Sequence, residues 1–331
     1  VGSEMCIRDS LSAPDYRMYR WYLSGILGLP PEDLDMSSIS AAMANYHLKT
    51  ACNVATFVGH GPIRVSTAGM RDVPLRGERL DEAKRLVEES IEQGAVGFAT
   101  GLSYHPQAWS DTEELVALCE TVKEAGGVYV THLRDVNTER AFGGGDIAEA
   151  LEIGRRSGVK VHFSHHRTGE SNVGKVEERL ELIDRAKAEG VDVTLELYPY
   201  PAGSTFLLSF LPSYVHAGGP EAIKNRLKDP VARVRIEQEL EENPRRSLDD
   251  IILSYLPSEK ELEGISLSSL AKKRGVSLGK AACDLLLEQN LTVGFLGTPP
   301  KNLGIWNRLN RDFVEFLSRS DYMVGSASIH L

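Results

Sequence analysis

The chain is poor in cysteine, and its four in 331 residues (Cys6, Cys52, Cys119 and Cys283) never stand in CxxC spacing. A zinc ribbon, a redox dithiol and a disulfide framework are thereby excluded as organising features, and a reduced cytoplasm is the expected compartment. Long apolar runs are missing too, since nothing approaches the roughly 20 residues that a membrane-crossing helix needs. Basic charge is in deficit: 37 Lys and Arg stand against 47 Asp and Glu, for a net charge of −10. That balance argues against nucleic acid or an anionic membrane as partner. No GxGxxG follows a strand-like run, which removes the usual dinucleotide fingerprint, and there is no low-complexity tract. What remains, at 42% hydrophobic residues, has the composition of a globular enzyme long enough for one barrel or two smaller domains.

Both ends lack the signals of a native terminus. VGSEMCIRDS (1–10) has neither a signal peptide's apolar centre nor a helical period, and reads as a non-native scar. Cys6 is therefore set aside. SDYMVGSASIHL (320–331) stops just after a strand-like run with no helix to cover it. The expectation is a fragment, open at both ends.

Between them the hydrophobic period alternates between two and 3.6. NVATFVG (53–59), AVGFAT (95–100), GVYVTH (127–132), VKVHFSH (159–165) and VDVTLELY (191–198) read as strands. Residues 78–94, 110–127, 146–158 and 175–190 read as helices, opened by acids or a Ser/Asp cap and closed by glycine. Strand ends at Thr100, His132, His165 and Tyr198 recur every 32 or 33 residues, close to the repeat of about 30 in a (β/α)8 barrel. Strands joined by crossover helices form a parallel sheet, so these ends share one face. The expected fold is α/β, a distorted TIM-type barrel incomplete at both ends. It assigns 11–204 to barrel βα units, 205–304 to an insertion or lid and 305–331 to the last βα unit. In the insertion only helix-like pieces are legible, 219–243 and 266–290.

His132 and His165 are the sharp chemical signal. A lone histidine at a strand end is more often packed or capping. Two at matching tips, one repeat apart, can bring imidazoles to a single divalent ion. His166 and His162 have the opposite parity along their strand and are expected to pack rather than to bind. Arg134 and Arg167 each follow a tip histidine by two residues, which points to an anionic substrate group. Tyr104 in FATGLSYHP, with Tyr198 and Ser204 in LELYPYPAGST, offers hydroxyls to a carboxylate or carbonyl. His60 and Arg64, in VGHGPIR, are weaker candidates.

Taken together, GFATGLSYHP, GGVYVTHLRD, SHHRTG and LELYPYPAGST, with VGHGPIR and MVGS, resemble the N-acyl-D-amino-acid deacylase (D-aminoacylase) branch of the amidohydrolase superfamily. The resemblance implies zinc ligated by His132 and His165, with Arg167 standing where the family has a substrate-binding Lys. It implies substrate contacts from Tyr198, Ser204 and Tyr104, and a small-molecule N-acyl-D-amino acid as substrate. The products would be a carboxylic acid and a free D-amino acid. Three family features are absent. No HxH pair and no GNCG cysteine ligand occur, and where the family carries GSD, with Asp as general base, this chain reads GSAS with Ala327. Alanine cannot take a proton, so this chain is expected to be inactive in hydrolysis. Two alternatives stay open. A cyclic amidase of the dihydroorotase or hydantoinase kind usually needs a carboxylated Lys at a strand tip, and the 95–100 strand ends in Thr100. A non-catalytic ligand-binding barrel would tolerate Ala327.

Overall fold

The computed structural model describes residues 12–325 apart from 30, 32–33, 52 and 244–246. It divides into two compact units. Among the described residues, the first lies within 12–16, 34–199 and 302–325, the second within 17–31 and 200–301.

The first unit is built on strands β1 (Val58–Gly59), β2 (Gly97–Gly101), β3 (Val128–His132), β4 (Lys160–Phe163) and β5 (Val193–Leu197). Three further strands follow in the second unit, β6 (Ser204–Phe206), β7 (Ile251–Tyr255) and β8 (Gly294–Gly297). The chain then returns to the first sheet with β9 (Tyr322–Val324). That sheet runs β1-β2-β3-β4-β5-β9 with every neighbouring pair parallel. Among the described residues β1 and β9 are its two edges.

Helices Glu78–Glu92, Thr112–Glu124, Asp146–Ser157, Val176–Ala188 and Leu303–Leu317 each precede a strand of this sheet. Their starts follow the sequence signals. Asp111 caps Thr112–Glu124 by accepting the Glu114 N–H at 2.9 Å, and Asn302 caps Leu303–Leu317 in the same way. Gly158, at φ 68°, closes Asp146–Ser157 in a left-handed turn that favours glycine. The helices bury an apolar stripe against the strands, so one core holds Val87, Leu115, Leu118, Ile153 and Ile183 with Phe98, Tyr129, Val161 and Leu195. At Gly97 a Cβ would come within 2.1 Å of the Val128 carbonyl oxygen, so only glycine lets β2 and β3 approach this closely.

Register then aligns the strand tips. Thr100 pairs with Thr131 and Gly101 with His132, while Thr131 pairs with Phe163 and Phe163 with Leu195. Just below the tips, Thr100 Oγ1 bonds both Thr131 Oγ1 and the Tyr129 hydroxyl at 2.9 Å, so the polar groups entering the core satisfy one another.

The second unit carries an antiparallel sheet of order β6-β8-β7, which the sequence pattern did not reveal. Its strands are three to five residues long, and β8 reads GFLG, too short and too glycine-rich to show a period of two. The run 219–243, read as one helical piece, is two helices, Gly219–Lys228 and Pro230–Glu241. Pro230 cannot continue a helix but suits its first turn, and Asp229 caps the new start. Likewise 266–290 is Leu267–Arg274 and Leu278–Glu288, parted at Gly275. Among the described residues no helix is long and apolar enough to cross a membrane.

Candidate functional site

His132 is the last residue of β3, and the chain leaves β4 two residues before His165. Strand parity therefore does not set the direction of His165. Its backbone turns instead through φ 39°, a left-handed value uncommon for any residue but glycine. The two rings meet nonetheless, His132 Nδ1 lying 2.9 Å from His165 Nε2 with ring centroids 4.6 Å apart and planes at 78°.

The protons in this contact can be assigned by following the chain of bonds. Ser103 Oγ donates to the Leu133 carbonyl at 3.2 Å, so towards His132 it can only accept. His132 Nε2, 3.0 Å from that oxygen, is then the N–H, which leaves the Nδ1 lone pair facing His165. His165 Nε2 then donates the proton of this contact, and in the other tautomer of that ring both nitrogens would turn lone pairs to the same point.

Replacing that proton by a cation tests the fit. Tetrahedral zinc with Zn–N of ~2.05 Å needs its nitrogens about 3.3 Å apart, a small opening of the observed 2.9 Å. Ser103 would stay as the acceptor that orients the ligating ring, as ligating histidines require. The donors present thus fit part of a metal site. Among the described residues no third His, Cys, Asp or Glu joins them.

The surrounding residues fall into two groups. The Tyr104 ring lies 5.2 Å from that of His132, and the Tyr198 ring 5.9 Å from that of His165. The Arg167 guanidinium stacks on Tyr198 at 4.4 Å, donates to its hydroxyl at 3.1 Å and lies 5.4 Å from the Phe313 ring. A planar cation held half-exposed beside the histidine pair is well placed to meet a carboxylate.

Arg134, expected at the same mouth, is instead buried at 2% exposure. It donates to Glu149 at 2.8 Å, to the Ala108 carbonyl at 3.0 Å and to Ser110 Oγ at 3.3 Å. Its charge is taken up inside the protein, where it fixes the loop that follows His132.

Ser204 belongs to the second unit, where its hydroxyl donates to the Phe295 carbonyl at 3.2 Å. Ala327 lies outside the described residues. His162 bonds Thr194 at 2.8 Å. His166 is buried and bonded to the Tyr322 hydroxyl at 2.6 Å, and burial, with Arg179 nearby, holds its imidazole well below its usual range. His60 and Arg64 are fully buried on Glu114. These four serve packing and internal pairing.

Residues missed from sequence are Ser103, Glu196 and Phe313. Glu196 had a readable signal, a carboxylate between two leucines near the end of a strand. Ser103 and Phe313 had none, because their roles come from loop and helix placement.

No family model matches the chain. The N-acyl-D-glutamate deacylase of Alcaligenes xylosoxydans xylosoxydans is 36% identical over 188 residues, 55% of this chain and 37% of that protein. The D-aminoacylase of the same organism is 39% identical over 158 residues, 47% of this chain and 32% of that protein. In fold, the N-acyl-D-glutamate deacylase of Bordetella bronchiseptica, solved with zinc and a phosphonate mimic of the tetrahedral intermediate, matches with a TM-score of 0.65. It is 25% identical, across 89% of this chain and 52% of that one. A D-aminoacylase described as defining a novel subset of amidohydrolases matches with a TM-score of 0.64, at 25% identity, across 89% of this chain and 54% of that one. The chain thus matches about a third of the length of its curated relatives and about half of the solved ones. Sequence and fold agree on one likeness, to the N-acyl-D-amino-acid deacylase branch of the amidohydrolases.

Proposed function

We propose that this chain carries part of the centre of a zinc-dependent amidohydrolase that cleaves N-acyl-D-amino acids to a carboxylic acid and a D-amino acid. The observation that carries the reading is the convergence of His132 Nδ1 and His165 Nε2 at 2.9 Å. The parallel sheet supports closure into a distorted (β/α)8 barrel, with the segment between β5 and Leu303–Leu317 as an insertion late in it.

His132 would hold the metal through Nδ1 and His165 through Nε2. Zinc bound there supplies Lewis acidity, polarising the amide carbonyl and making water nucleophilic near neutral pH. Arg167, braced on Tyr198, would take the substrate carboxylate, with Tyr104 lining the pocket. Arg presents a fork of donors where Lys presents a point charge, which favours a bidentate carboxylate. Arg134 would act on the site indirectly, by anchoring the His132 loop.

By the resemblance of GSAS to the family's GSD motif, Ala327 falls where the general-base Asp would stand. A side chain with no basic atom cannot accept a proton from water or pass it to the leaving amine. The proposal is therefore that metal and substrate are held while turnover is lost.

Competition with a chromogenic chelator tests this. The chain should bind Zn2+, and His132→Ala or His165→Ala should each weaken binding at least ~100-fold, more than loss of an outer-sphere partner usually does. N-acetyl-D-glutamate should bind in the presence of zinc and lose affinity in Arg167→Ala. Zinc binding that ignores both histidine substitutions would overturn the reading.

A further inference from the structure

We propose that Glu196 is a positioning residue that sets His165 for metal binding by holding its backbone in the left-handed turn, an inference that rests on the metal reading above. Glu196 lies on β5 and is 7% exposed. A carboxylate so little exposed is unusual, all the more because Thr194, two residues earlier on the same side of the strand, is exposed.

Its carboxylate reaches across to the end of β4. Glu196 Oε1 accepts the backbone N–H of His165 at 2.9 Å, and the Glu196 carbonyl accepts the N–H of His166 at 2.8 Å. Two successive amides are thereby tied to one residue of the neighbouring strand. Between them the chain takes the positive φ of His165, a conformation that a non-glycine residue keeps only where its surroundings over-determine it. Without that turn the imidazole would leave on a different line from the one that meets His132.

The other side of the carboxylate is shaped by Gly325, the residue just past β9. Gly325 donates its N–H to the Leu197 carbonyl at 2.9 Å, and a Cβ built on it would fall 1.5 Å from Glu196 Oε2. Glycine at 325 therefore keeps the space that the carboxylate fills. Glu196 thus joins the His165 turn to Gly325, just past β9 and two residues before Ala327 in the sequence.

The test uses the whole chain and three variants, Glu196→Ala, Glu196→Gln and Gly325→Ala. Hydrogen exchange at the His165 amide, without metal, reports the bond itself. Glu196→Ala should speed it, and Glu196→Gln, whose amide oxygen can still accept, should restore most of the protection. Co2+ titration followed by the visible d–d bands reports the consequence. Glu196→Ala should weaken affinity about 10- to 100-fold, the usual loss for a group that orients a ligand, with Glu196→Gln staying within about threefold of the parent. Gly325→Ala should reproduce the loss by displacing the carboxylate, and combining it with Glu196→Ala should add little. If the unsubstituted chain takes no Co2+, the metal reading falls. If it does, and Glu196→Ala binds equally well or leaves His165 exchange unchanged, the role of Glu196 falls alone.

Discussion

Glu114 offers a prediction whose size can be worked out from the structure. It lies at the start of helix Thr112–Glu124 with no solvent exposure. Oε1 accepts from His60 Nε2 at 2.8 Å, Arg64 Nη1 donates to both oxygens at 2.6 Å, and the Leu75 N–H donates to Oε2 at 2.7 Å. Burial pushes this carboxyl up, but Arg64 and His60 outweigh it and bring it from 4.5 down to about 2. That depression corresponds to about 3 kcal/mol of stability, fully present above pH ~4.5 and lost as pH falls towards 2. His60 acts in the same direction. Burial lowers its imidazole below 6.5 against the opposing pull of Glu114, so the unfolded chain again binds the extra proton and stability again falls with pH. Glu114→Gln removes the anion while leaving Arg64 buried, which costs about 3–5 kcal/mol at pH 7. Urea unfolding followed by far-UV circular dichroism, at pH 7 and at steps down to 3, measures both effects. The parent should lose stability steeply below pH 5, and the variant should start lower with a shallower slope. A loss under about 1 kcal/mol at pH 7, or an unchanged acid slope, would refute the argument.

Two more expectations follow from buried groups. Arg134→Ala should destabilise by about 3–5 kcal/mol, because Glu149 is left charged and buried, with Thr112 Oγ1 its one remaining side-chain donor among the described residues; urea unfolding at pH 7 decides, and a change below about 1 kcal/mol would contradict it. Cys119 and Cys283 are buried, and burial raises the Cys119 thiol well above its usual range and the Cys283 thiol to about 12. In a Cys6→Ser/Cys52→Ser background, Ellman's reagent should find no thiol in the folded chain and two after unfolding in urea.

The parallel sheet was legible in the sequence because β2 to β5 are short runs rich in apolar residues and each is preceded by an amphipathic helix that stops at a glycine. Periodicity of that kind is local, and the observed strands fall within a few residues of their expected ends. The antiparallel sheet was not legible. Its three strands pair across long stretches of chain, and their lengths leave no room for a period. The breaks at Pro230 and Gly275 were present as letters, yet the helical period on either side masked them.

The candidate site shows the same division. That His132 and His165 would meet could be argued from the repeat alone, since Gly101, His132 and the turn after Phe163 share a level of the sheet. How they meet could not. The parity argument treated His165 as a strand residue, whereas the strand ends at Phe163 and a left-handed turn carries the ring across. Arg134 misled for a related reason. Sequence spacing placed it two residues past a tip, but only tertiary packing could supply the Glu149 that draws it inside.

These two differences have a common cause. An imidazole at the end of a strand sits where the ladder no longer fixes the backbone, so its direction has to be set by something else. For His132 the loop beyond is tied by the Arg134–Glu149 ion pair, and for His165 by the Glu196 carboxylate bonded to its amide. Both devices bury charge, which rarely stabilises a fold more than well-packed apolar side chains would. Charge in those two places makes physical sense if the direction of the rings matters more than the stability forgone, as it does wherever ligands must be oriented before a cation arrives. Apolar replacements at Arg134 and Glu149 together should then leave a folded chain whose histidine pair is less well aimed, with metal affinity falling further than stability does.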